Sequence, residues 1–247
     1  MRNAIIFTIF TIGVLYINYL ANSLPLNGVT TGELSDRYNS LITPAGTAFS
    51  IWGIIYLSLI IWLVRIWQGA IKKDITQENE ANKLVIWYPL NCKLNALWLI
   101  AWHYGDVNLS LLIMLGILGS LIIIYQKSEN NTRLWTFPFS IYLGWISVAT
   151  VVNFSVMIIY NEWVLFPDEA INTTLAMMVV ASILGLFFIH KKSDVIYAMV
   201  IGWALFFISQ KQINLDSIRY TGYGLAILLL INIFYHKVKY FRTKPTT

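Results

Sequence analysis

The sequence is poor in charge: aspartate, glutamate, lysine and arginine make up 12% of its 247 residues, about half the share found in an ordinary soluble domain. So few charged groups cannot clothe a water-facing surface, which excludes a soluble globular fold. Cysteine is nearly missing too. The single Cys92 cannot form an internal disulfide, so cysteine usage marks no oxidising compartment. Carboxylates avoid the long apolar runs: Asp106, Glu162, Asp168, Glu169, Asp194 and Asp216 fall at run ends or between runs. That placement argues against a proton-coupled pump built on intramembrane acids. The three histidines, His103, His190 and His236, are scattered without ligand spacing, so no metal site is expected. The chain also lacks a nucleophile with a neighbouring base and a glycine-rich phosphate loop. No catalytic residue and no cofactor are therefore expected, and nothing supports binding to nucleic acid.

What remains is apolar. Hydrophobic residues reach 57%, tryptophan occurs ten times and mean hydropathy is +0.65. Eight runs, at 4–23, 46–67, 84–103, 107–126, 137–160, 170–190, 194–210 and 219–236, have roughly the 20-residue length a spanning helix needs. They predict an all-α, polytopic membrane bundle of about eight transmembrane helices in the lipid bilayer. The first run follows Arg2 but ends in "NYLANSLPL" with no small-x-small cleavage site, so an uncleaved helix is expected rather than a signal peptide. An even number of spans puts both termini on one side. That side collects Arg2, Arg65, Lys72, Lys73, Lys83, Lys127, Arg133, Lys191, Lys192, Lys237, Lys239, Arg242 and Lys244, whereas the other has only Arg37, Lys211 and Arg219. The asymmetry predicts cytoplasmic termini and, with no targeting segment recognised, a bacterial inner membrane. The segment 24–44 then lies outside the cytoplasm, and its length suggests a lid over a binding site.

Three runs carry mixed polar and aromatic stripes. Asn91, Asn95, Trp98 and Trp102 fall at i, i+4, i+7 and i+11; Phe49, Trp52 and Tyr56 are three and four apart; Trp145, Ala149 and Asn153 are spaced by four. Two readings stay open. Indole and phenol rings suit a flat, mainly apolar ligand held between helices. Equally, bundle cores and interfacial belts collect aromatics, as Trp62, Trp67, Trp87, Trp135 and Trp163 illustrate, and intramembrane asparagines such as Asn18, Asn22 and Asn232 often join helices. Lys93, the one charge placed deep in a run, points about 200° away from Asn91 and is expected to snorkel towards the headgroups.

The segments "PAGTAFSIWGIIY" (44–56), "LNALW" (94–98) and "WISVATVVN" (145–153) resemble, in order and spacing, the second, third and fifth helices of the tryptophan-rich sensory protein family, also called translocator protein (TspO/MBR). The resemblance covers about residues 1–160. It implies a five-helix bundle at 1–162, often dimeric, that binds porphyrins and other hydrophobic ligands in a pocket closed by the first long loop. Its ligand-binding positions fall on Trp52, Tyr56, Asn95, Trp98, Trp145, Ala149 and Asn153 of this sequence; the stripes add Phe49, Asn91 and Trp102. The segment 163–247 is expected to add three further helices and a basic tail. The resulting expectation is a non-enzymatic membrane protein that binds, senses or translocates a flat hydrophobic ligand such as a tetrapyrrole, alone or as a homodimer. A transporter or uniporter of another solute, and an enzyme acting on a bound porphyrin or polyene, are the alternatives.

Overall fold

The computed structural model describes residues 1–23, 26–128, 133–163 and 166–243. Residues 24 and 25 of the expected lid, most of the 127–133 connection, residues 164 and 165, and Lys244 lie outside the described residues. Ten α-helices are described: α1 (Arg2–Asn22), α2 (Thr31–Arg37), α3 (Ile51–Lys72), α4 (Ile75–Leu84), α5 (Trp87–His103), α6 (Val107–Ser128), α7 (Arg133–Tyr160), α8 (Pro167–Lys192), α9 (Val195–Lys211) and α10 (Asp216–Thr243). The fold is an all-helical membrane bundle, and each of the eight expected runs is a helix. Six are long and apolar enough to cross a membrane, and α4 with α5, bent by 42° at their junction, make a seventh. At 17 residues α9 is shorter, about 25 Å against a hydrocarbon core of about 30 Å.

Local chemistry fixes the ends of these elements. Asp74 and Asp194 cap α4 and α9 by accepting backbone N–H bonds from the first turn. Lys73 and Ser193 close α3 and α8 in the left-handed region, at φ 53° and 52°. Pro167 occupies the first turn of α8, where its missing N–H costs nothing. In the segment 24–44, Thr30 and Glu33 make a reciprocal capping box that starts α2. Bonds from Thr30 hold the exposed Glu33 carboxyl below its ordinary value. A depressed carboxyl stabilises the cap above the unfolded-state pKa, and that contribution is lost as pH falls through the folded one.

Five helices close a circuit in which α1 packs on α3 and α5, α5 on α6, α6 on α7, and α7 back on α3. The helices α8, α9 and α10 contact one another pairwise and join the circuit mainly through α9 against α7. Their joint is tight because Gly144 lacks a side chain: a Cβ there would lie 2.9 Å from Val200 Cβ and 3.2 Å from the Tyr197 carbonyl oxygen. Small residues at such crossings let backbones approach and gain dispersion contacts. At the end of the circuit that carries the N-terminus, Phe7, Trp62, Tyr88 and Phe139 pack ring against ring, with Trp135 on the edge of Trp62. Trp62 and Trp135 are thus core residues, whereas Trp163 is exposed.

The substitution Gly144→Val should separate α9 from α7 at a cost of about 1–3 kcal/mol, the range for overpacking a close contact. Thermal unfolding in detergent should register it as a lower midpoint, whereas Gly202→Val, with open space around its Cα, should not.

Candidate functional site

The lid-side end of the circuit contains an aromatic recess. Phe49 reaches it from the 3-10 turn Gly46–Ser50 just before α3, Trp52 from the start of α3, Trp98 and Trp102 from the end of α5, and Trp145, Val148, Ala149, Val152 and Asn153 from α7. Thr31 and Ser35 of α2 and Pro44 cover it. Only about 30 Å³ of the recess is wide enough to seat water. In this closed form it admits one or two water molecules, far less than the roughly 300–1,000 Å³ of a ligand pocket.

The rings form two groups, one from the α3 end with α7 and one from α5. Phe49 meets Trp145 edge-on at 5.7 Å, Trp52 meets Trp145 at 6.5 Å, and Trp98 stacks near Trp102 at 5.9 Å. Trp52 also stacks on Tyr56 at 5.3 Å. Asn153 is bonded at both ends of its amide: its Oδ1 accepts from Trp98 Nε1 at 3.2 Å and from Ser110 Oγ at 3.3 Å, and its Nδ2 donates to the Ala149 carbonyl. Two polar atoms of the lining are buried without a partner, the Trp102 indole N–H and the Thr31 hydroxyl. Groups so left are costly until something supplies an acceptor.

Of the ten residues named from sequence, Phe49, Trp52, Trp98, Trp102, Trp145, Ala149 and Asn153 line the recess, and three do not. Tyr56 lies beneath Trp52, half-buried, with its hydroxyl enclosed and unpartnered. Asn95 accepts from Asn18 Nδ2 at 3.1 Å and donates to the Tyr142 hydroxyl at 2.9 Å, tying α1, α5 and α7 together. Asn91 donates to the Ile117 carbonyl and to Ser120 Oγ, tying α5 to α6. Asn91 and Trp102 share a helix face, but about 16 Å of helix rise separates them, so depth rather than angle keeps the amides out of the recess. Lys93 is exposed, with its Nζ 5.3 Å from the centre of the Phe10 ring, outside the recess lining.

Sequence reasoning missed Thr31, Ser35, Pro44, Val148 and Val152. Thr31 and Ser35 were findable, because Thr30-x-x-Glu33 is the signature of a helix start inside the loop.

The lid segment and the turn that follows it, residues 36–48, are fastened chiefly by α9 and by Gln212 just after it. Asp36 pairs with Lys211, the Leu41 carbonyl accepts from Gln212 Nε2 at 3.0 Å, the Ala45 N–H donates to the Phe207 carbonyl at 3.1 Å, and the Ala48 carbonyl accepts from Trp203 Nε1 at 3.1 Å. Ser40 is buried against Ser155 of α7, hydroxyl to hydroxyl at 3.0 Å.

A bundle of membrane-length helices around a closed aromatic recess defines the class, a polytopic membrane protein with a recess covered by a loop. A sequence model described as TSPO-like protein matches residues 4–235, so the chain belongs to that family. The match runs past residue 160 through α8, α9 and most of α10. No curated protein and no solved structure matches the chain.

The double substitution Lys211→Met with Gln212→Met removes two lid fastenings worth together about 1–2 kcal/mol. A cysteine placed at Ser40 should then react with maleimide about five to thirty times faster than in the parent. An unchanged rate would show that α9 does not hold the lid.

Proposed function

We propose that this protein binds a flat, mainly apolar ligand of the tetrapyrrole class in the aromatic recess, in order to sense it or pass it on. The observation that carries the reading is the recess itself: four tryptophans from three helices and a phenylalanine, with an indole N–H and a hydroxyl that lack partners. Ring faces bind a flat π-system, and the two free polar groups suit an acceptor on its edge, such as a carboxylate. Entry requires opening. Lifting the segment 31–44 and swinging the inner rings would have to enlarge the recess towards the roughly 300–1,000 Å³ of known ligand pockets. The lid faces away from the cytoplasm in this reading, and the termini lie inside.

Tetrapyrrole binding should quench tryptophan emission saturably. Losing one ring face is worth roughly 1–3 kcal/mol by analogy with base stacking, so Trp98→Leu should weaken binding about fivefold to over a hundredfold. Trp163→Leu, at an exposed position, should change nothing, and Ala149→Phe should block the site. Trp102→Phe keeps a ring and removes the donor. It should weaken a carboxylated porphyrin about two- to twelvefold, the value of a net hydrogen bond, and leave a porphyrin stripped of carboxylates unaffected. Equal affinity of every variant for both ligands would make the recess a packing feature.

Lys93→Met should leave affinity within twofold, because an exposed ammonium outside the recess contributes little to binding there. For orientation, a cysteine at exposed Asn39 should react with an impermeant maleimide in intact cells; reaction only after lysis would reverse it.

A further inference from the structure

The helix α9 is held by directional bonds at both ends. At its start, Asp194 in the turn from α8 accepts from the Tyr125 hydroxyl of α6 at 2.9 Å, and Ser140 Oγ of α7 lies 2.7 and 2.6 Å from its two oxygens. Tyr125 and Ser140 are both buried. The cap of α9 itself uses Asp194 Oδ1, which accepts from the Ile196 and Tyr197 N–H groups, whereas Oδ2 accepts from the neighbouring helices. The carboxylate thus does more than start a helix, because it ties that helix to α6 and α7. Just inside α9, the Tyr197 hydroxyl donates to Ser147 Oγ of α7 at 2.9 Å.

At the other end stand the lid fastenings: Trp203 to the Ala48 carbonyl, the Phe207 carbonyl to Ala45, Lys211 to Asp36 and Gln212 to Leu41. Ser140 follows Phe139, a member of the ring cluster at the N-terminal end of the circuit, so the two sets of bonds lie at opposite ends of the bundle.

Between them α9 meets its neighbours through Val200, Ile201, Ala204, Leu205 and Ile208, all buried and all apolar. Apolar packing between membrane helices has little directional preference. Packed helices therefore slide and tilt past one another as rigid bodies, by about 1–2 Å in known transitions. What fixes the position of α9 along and across the bundle is the polar bonding at its two ends. The close crossing of Val200 over Gly144 supplies a pivot between them.

We propose that α9 is a strut that couples the lid to the opposite end of the bundle. Freeing the lid releases the outer end of α9 and loosens the hold of Asp194 on α6 and α7; loosening that hold in turn frees the lid. The coupling concerns the lid itself and does not depend on which ligand the recess takes. It gives a movement of the lid a mechanical consequence at the far end of a 17-residue helix, about 25 Å away.

The test uses the full chain in detergent, with a cysteine at Ser40 reporting on the lid and, in a separate protein, a cysteine at the half-buried Val195 reporting on the start of α9. The native Cys92 is buried. Tyr125→Phe with Ser140→Ala removes the bonds to α6 and α7 and leaves the cap of α9 in place. The maleimide rate at position 40 should then rise about two- to thirtyfold, the range by which residues along a coupled path alter the coupling. Tyr125→Phe alone should give part of the rise, and it carries the test if the double variant fails to fold. In the reverse direction, Lys211→Met with Gln212→Met should speed the reaction at position 195 by a similar factor, because linkage is reciprocal. Ser120→Ala removes a bond between α5 and α6 and should move neither rate. An unchanged rate at position 40 in the Tyr125 variants, or at position 195 when Lys211 and Gln212 are replaced, overturns the strut and leaves α9 fastened at two independent ends. Equal rises in Ser120→Ala also overturn it, since they would mark a general loosening of the bundle.

Discussion

The bundle depends on side-chain amides and hydroxyls finding partners where no water can supply them. A polar group in hydrocarbon carries a penalty of several kcal/mol unless it is bonded, and here the bonds run from helix to helix. Asn18, Asn95 and Tyr142 link three elements, Asn91 reaches Ser120, Tyr88 meets Thr11, and Asn153 joins Trp98 to Ser110. Apolar packing between helices does not distinguish one neighbour from another when lipid is just as apolar. The polar pairs do, and they set which face of each helix turns inward and at what height. Once α5 is fixed by Asn91 and Asn95 lower down, Trp98 and Trp102 have no choice but to meet α3 and α7 at the lid end.

This also explains how much could be read from the sequence. Run length and the lack of charge give the helices, and the three stripes give most of the recess, because periodicity reports which residues share a face. Periodicity is silent about height along that face. Asn91 and Asn95 belong to the same stripe as the tryptophans yet spend their bonds on α1, α6 and α7. The connection 72–83 reads as a polar loop, but Asp74 caps a ten-residue helix there, and the bend into Trp87 makes the third span a broken one. The covering residues come from a segment with no apolar period, and its fastening to α9 joins positions up to 175 apart in the chain, which no local pattern encodes.

At the lid end of the bundle, rings pack against rings and leave about 30 Å³. Aromatic side chains can rotate to create space and then close it again, which suits the proposed binding of a ligand that reshapes the recess as it enters.

The fastening of the lid has a consequence for how the protein is made. Residues 36–48 leave the ribosome long before Trp203, Phe207, Lys211 and Gln212, the α9 partners that hold them. During synthesis the first five spans are therefore made before the α9 fastenings of their covering segment can form, and only its contacts to α5 and α7 are available. Only the arrival of α9 brings these fastenings into place, so the later part of the chain acts on the earlier part as a tethered chaperone would, closing a recess already built.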